Sequence, residues 1–160
     1  MLSRGGFLSQ RVRQSVLTAH VMMSVGLLGD SAGFLAVAIR AATTKEPEVA
    51  IELVRVLKMF SLVFGLPLSI GTLVTGVTLS LGTKWGVFSY PWVIAKLVLV
   101  LSVMLVGGFF IGPAQTAMVE GNGDATRQLI AATSYDVLAL ALATALSVFK
   151  PGRPLRRATL

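Results

Sequence analysis

Four long apolar stretches, at 16–39, 59–81, 91–112 and 129–149, constrain this chain more than any short motif in it. Each has the roughly 20 residues that a helix needs to cross about 30 Å of hydrocarbon. Lipid offers no water to an unpaired backbone amide, so a stretch that enters it closes its hydrogen bonds internally, as helix. Only 13% of the 160 residues are charged and 54% are hydrophobic, whereas a soluble domain is about 25% charged. The mean hydropathy of +0.80 points the same way. The expected fold is all-α: one transmembrane domain spanning residues 1–160, a four-helix bundle running up-down-up-down, with a basic tail at 150–160. Short connections make consecutive helices antiparallel neighbours.

Helix punctuation lies between the stretches. Thr43 and Glu46 have the spacing of a capping box, Pro91 suits a first helical turn, and Gly121-Asn122-Gly123-Asp124 forms a turn ahead of the fourth helix. Pro67 should bend the second helix. The first stretch is longer than a secretory h-region and shows no obvious cleavage site, so it reads as a retained span. Charge then orients the bundle. With both termini in the cytoplasm, the inner face holds Arg4, Arg11, Arg13, Lys84, Lys150, Arg153, Arg156 and Arg157 without one acidic residue. The outer face balances Arg40, Lys45, Arg55, Lys58 and Arg127 against Glu46, Glu48, Glu52, Glu120 and Asp124. This is the lysine and arginine bias of an even number of spans. Trp85, Tyr90 and Trp92 fit an aromatic belt at the inner interface.

Composition also closes several function classes. With no cysteine, the chain has no disulfide, thiolate metal site or cysteine nucleophile. It lacks a glycine-rich phosphate loop, a metal-spaced His pair and a Ser-His-Asp set, so no soluble-enzyme signature is present. The net charge of +7 comes from residues that flank the spans. They serve topology and contact with lipid headgroups, so no nucleic-acid partner is expected.

Four ionisable residues fall inside the spans: His20, Asp30, Lys96 and Asp136. A charge at the centre of a membrane helix costs roughly 2.5–3.5 kcal/mol on insertion scales, so such residues face the bundle interior, a partner or water. Depth sorts them into pairs. His20 and Lys96 lie about five residues, or ~7 Å, from the cytoplasmic edge at 1.5 Å per residue. Asp30 and Asp136 lie nearer the outer side, where Arg55 and Lys58 have stems long enough to approach them. Asp136 shares a helical face with Ala132, Ala139, Ala143 and Ser147, and Gly65, Ser69, Thr72 and Gly76 align on the second helix. Gly26, Gly29 and Gly33 form a stripe beside Asp30. Each ionisable residue also has a structural reading: a snorkelling Lys96, a hydrogen-bonded His20, and aspartates paired with Arg55, Lys58 or a hydroxyl.

Leu17-Thr18-Ala19-His20-Val21, Gly82-Thr83-Lys84-Trp85-Gly86-Val87-Phe88, Tyr90-Pro91-Trp92-Val93-Ile94-Ala95-Lys96-Leu97 and Leu146-Ser147-Val148-Phe149-Lys150-Pro151 occur in order along the chain. In this it resembles a family of small four-span bacterial membrane proteins of unknown function, which implies the bacterial cytoplasmic membrane. A fainter likeness, in His20 followed by Trp92 and Lys96, is to haem-carrying membrane protoporphyrinogen oxidases and copper-resistance membrane proteins. It implies haem b, with His20 on the iron, Lys96 on a porphyrin carboxylate and Trp92 as a pocket wall. No second imidazole exists in the chain to complete the iron.

Three readings stay open. The first is an accessory or interaction protein without chemistry of its own, in contact with lipid and with a second copy or another membrane protein. The second is the haem or porphyrin protein, whose enzymatic form would be a membrane oxidoreductase. The third is a small proton-coupled transporter that titrates Asp30 and Asp136, with Lys58 as the third buried charge.

Overall fold

A computed structural model describes residues 9–82, 90–120 and 122–150. Arg4, Lys84, Trp85, Gly121, Arg153, Arg156 and Arg157, and the tail beyond Lys150, lie outside the described residues. The chain forms four rods: α1 (Gln10–Thr43), α2 (Pro47–Gly82), α3 (Pro91–Val119) and α4 (Gly123–Phe149). All four are long and apolar enough to cross a membrane, and there is no strand among the described residues. α1 packs on α2 and α4, while α3 packs on α4 and, at its two ends, on α2. The diagonal pairs make no contact, as in an up-down-up-down bundle. The ends Gln10 and Phe149 share one end of the bundle, here the terminal end. The other is the far end.

The helices run past the apolar stretches. At 36 residues α2 is about 54 Å long, well beyond the ~30 Å of hydrocarbon. Its start at Pro47 precedes the expected 59, α3 continues through Pro113 to Val119 instead of ending at 112, and α4 starts at Gly123 instead of 129. The expected capping box does not form. Thr43 is the last residue of α1 and donates its hydroxyl back to the carbonyls of Ile39 and Arg40. A threonine inside a helix readily makes that bond to the preceding turn. Pro47 begins α2 instead, where its missing N–H costs nothing. Asn122 does cap α4, accepting from the Asp124 amide at 3.0 Å.

Two apolar clusters hold the bundle. One, toward the far end, joins Phe34, Ala38, Leu57, Ile111, Ala114 and Leu129; the other, toward the middle, joins Leu27, Val103, Ala139 and Leu140. Lipid is as apolar as these side chains, so close packing, more than transfer from water, provides the stability. Leu129 has no exposed surface. Leu129→Ala should cost about 2 kcal/mol from the void alone, at roughly 24 cal/mol per Å³. Thermal unfolding in detergent checks this, and an unchanged midpoint contradicts the packing described. The glycine stripe of α1 is only partly used: Leu68 lies 3.5 Å from where a Cβ on Gly26 would sit, but nothing lies within 4 Å of one on Gly29 or Gly33. The buried face of α1 runs instead through Leu27, Phe34, Ala38 and Ala41.

Candidate functional site: a polar cavity between the two core clusters

The cavity begins with two prolines. A proline ring inside a helix strikes the carbonyl four residues back and leaves it without its N–H. Both Pro67 and Pro113 follow a widened turn, Ser61–Gly65 in α2 and Gly107–Ile111 in α3. In these turns the amide of Leu66 reaches back five residues to Ser61, and that of Gly112 to Gly107. The widening relieves the collision and adds a π-helical bulge, a feature frequent at functional sites. Measured from Gly82 and from Pro91, both bulges stand roughly 25–30 Å along their helices, so they lie at one height. They do not touch each other.

Between them and the other two helices is a cavity of about 550 Å³. Leu27 and Val103 of the middle cluster and Phe34 and Ile111 of the far cluster bound it, and all four helices contribute polar groups. α1 supplies Asp30 and α4 supplies Asp136, which is only 6% exposed. Oδ1 of each aspartate is buried and has no hydrogen-bond partner. Asp30 Oδ2 lies against the bulge of α2, 3.4 Å from the position of a Cβ on Gly65.

Three of the wall's four hydroxyls are already committed. Ser61 donates to the Leu57 carbonyl, Ser69 to Leu66 and Thr133 to Leu129. A hydroxyl has one proton, so what these three leave for the cavity is lone pairs. The Gln115 amide donates toward Ser61 Oγ at 3.4 Å. Lys58 also lines the cavity, at an exposed position. Among the described residues no ion pair joins it to an aspartate. Arg55 does not reach down to them either: it pairs at 2.7 Å with Glu52, both side chains well exposed. Residues three apart on a helix are surface neighbours, and that partner is nearer than the membrane interior.

His20 and Lys96 belong to the terminal half and do not line this cavity. Thr75 lies 2.9 Å from His20 Nδ1 and gives its own proton to the Gly71 carbonyl at 2.6 Å. Its oxygen therefore accepts, which places the proton of the neutral ring on Nδ1. The ring fits against Gly76, where an added Cβ would come 3.0 Å from His20 Cε1. Lys96 is near enough for its charge to act on His20, and its Nζ stands 5.7 Å from the Trp92 ring centre. Trp92 also leans on Tyr90, ring centres 6.2 Å apart. Thr75→Val should free the ring at a cost of about 0.5–1.5 kcal/mol, the net value of one hydrogen bond. A lower thermal midpoint with unchanged helix content is the expected result.

An added Cβ on Gly76 would stand 3.0 Å from His20 Cε1, and none of His20, Trp92 and Lys96 lines the cavity of about 550 Å³.

Asp30 and Asp136 thus share one cavity, and His20, Trp92 and Lys96 gather in another place. Ser61, Gln115, Thr133, Gly107 and Gly108 were not singled out by sequence reasoning, although Pro67 and Pro113 mark the bulges that bring several of them to the cavity. A family model described as Predicted integral membrane protein matches residues 14–151. No curated protein and no solved structure matches the chain.

Proposed function

We propose, for a chain that belongs to this family of integral membrane proteins (DUF2269), that it is a small proton-coupled carrier whose cavity takes one cationic solute between Asp30 and Asp136. The observation that carries the reading is the buried Asp136 carboxyl, with an unpartnered oxygen on a cavity wall that it shares with Asp30. A buried polar group left unpaired costs about 1–3 kcal/mol. Two of them facing one space are well accounted for by a ligand that pairs them. The two unpartnered groups are carboxylate oxygens, so a ligand that pairs them is a donor, an ammonium or guanidinium-type cation. A volume near 550 Å³ lies within the range of small-molecule sites. Carboxyl groups can hold either protons or such a cation, and exchange of one for the other links the two movements.

Proteoliposomes with an acidic interior and a trapped pH dye test this with methylguanidinium, which is permanently charged and does not cross lipid unaided. Adding it outside should raise the internal pH as protons leave in exchange; an internal pH that does not respond contradicts the reading.

The charge bias supports a reading in which both termini lie in the cytoplasm of a bacterial cell. Because the chain has no cysteine, single replacements report topology without background. Lys45→Cys should react with a membrane-impermeant maleimide added to intact cells, and Arg13→Cys only after the cells are opened. The reverse pattern contradicts the orientation.

One observation favours a partner as well. Val25, Gly29, Ala32, Gly33 and Ala36 lie exposed on one face of α1, and small residues let helices approach closely. A second copy or an accessory role would use that face, and a four-helix carrier of this size would gain a two-fold arrangement from it. Gly33→Leu should then lower the mass of the protein–detergent complex seen by light scattering.

A further inference from the structure

The same cavity has a side door. Its lining includes Leu62 and Leu66 of α2, 69% and 51% exposed, and Gly108 of α3, also exposed. These residues lie inside the spans, so what they are exposed to is lipid. α2 and α3 touch above and below this level, through Pro47–Phe60 with Gly112–Val119 and through Leu66–Gly82 with Pro91–Val106, but the backbones of the two π bulges between stay more than 8 Å apart, Cα to Cα. The gap is therefore framed on all sides and opens in the plane of the membrane. The walls behind it are mostly apolar, with Leu27, Phe34, Val103 and Met104 around the two carboxyl groups.

We infer that the cavity is loaded sideways from the lipid, through the window between Ser61–Gly65 and Gly107–Ile111, and that its substrate is an amphiphilic cation. The cationic head, rich in N–H donors, meets Asp30 and Asp136. The apolar body lies along the leucine and valine walls and out through the window. This rests on reading the cavity as a cation site, and it adds the substrate class and the route. A wholly water-soluble cation leaves the apolar walls and the lateral gap without a use. A neutral lipid tail leaves the carboxyls without one.

Gly108 provides a clean test, because a Cβ built there meets nothing within 4 Å. A side chain can therefore start from this position without striking the bundle. In the proteoliposomes, dodecylguanidinium already in the lipid should compete with methylguanidinium-driven proton exchange at low concentration. In Gly108→Trp the dodecylguanidinium concentration needed for half inhibition, taken relative to the methylguanidinium concentration that gives half-maximal exchange in the same variant, should rise at least tenfold over the wild-type ratio. Leu62→Trp, from the facing helix, should raise this ratio as Gly108→Trp does, and Gly108→Ala should raise it less than twofold. If dodecylguanidinium competes equally well against wild type and both tryptophan variants, the lateral route is wrong while the cation site stands. Equal loss of both cations in the tryptophan variants also overturns a separate lipid route. Should the methylguanidinium signal survive Asp136→Asn, the failure lies in the cation site itself.

Discussion

Asp136→Asn should bring methylguanidinium-driven proton movement to background, with the protein still folded and inserted. The substitution keeps the shape of the side chain and removes the charge. Truncating or neutralising one partner of a buried charge contact costs about 2–5 kcal/mol, which at 1.4 kcal/mol per tenfold is roughly 30-fold or more in affinity. Asn also cannot exchange a proton, so the link between cation and proton is lost even where binding persists. Asp30→Asn should weaken the signal in the same direction but less, because Asp30 is only half-buried and has more access to other ligands of its charge. Wild-type exchange in both variants would sink the carrier reading.

Asp136→Leu should stabilise the fold, by about 1–3 kcal/mol, the cost usually attached to a buried polar group without a partner. A structural aspartate would respond in the opposite direction. Had Asp136 been held by Lys58, Arg55 or a wall hydroxyl, its removal would strand that partner and lower the stability. Here the described residues supply none: Oδ1 is unpartnered, the Thr133 proton is spent on the Leu129 carbonyl, and Arg55 is on Glu52. The cavity gives the extra methyl groups room. A group that weakens the fold yet lines a large cavity is the usual sign of function obtained at the expense of stability. Thermal unfolding in detergent, run with circular dichroism, reads the change. A clear fall in the midpoint would make Asp136 a structural residue.

Which parts of this were legible beforehand follows from how lipid acts on a chain. The four spans were legible because hydrocarbon forces long apolar stretches into helix. Their ends were not, because hydropathy sees only the part of a helix that lies in lipid. Residues 47–58, 113–119 and 123–128 are helix beyond that limit, and Gln115, with its place on the cavity wall, fell in such an extension. Helical rise was enough to place Asp30 and Asp136 at one level and His20 and Lys96 at another, since 1.5 Å per residue holds along any regular helix. The bulges were hidden because a π turn is a change of hydrogen-bond register with no side-chain signature of its own. Pro67 suggested a bend without saying that the turn before it widens, and Pro113 looked like an end. Rotation was harder than depth: Gly29 and Gly33 looked as suited to the interior as Gly26, and only packing shows that they face outward.

The most direct test of the central claim is calorimetric titration of methylguanidinium into the purified protein, wild type beside the Asp30→Asn, Asp136→Asn double variant. Repeating it in two buffers of different ionisation enthalpy counts the protons released. The account predicts saturable binding with proton release in the wild type, and neither in a double variant that keeps its helix content. Binding of equal strength in both proteins, or no binding in the wild type, would contradict it.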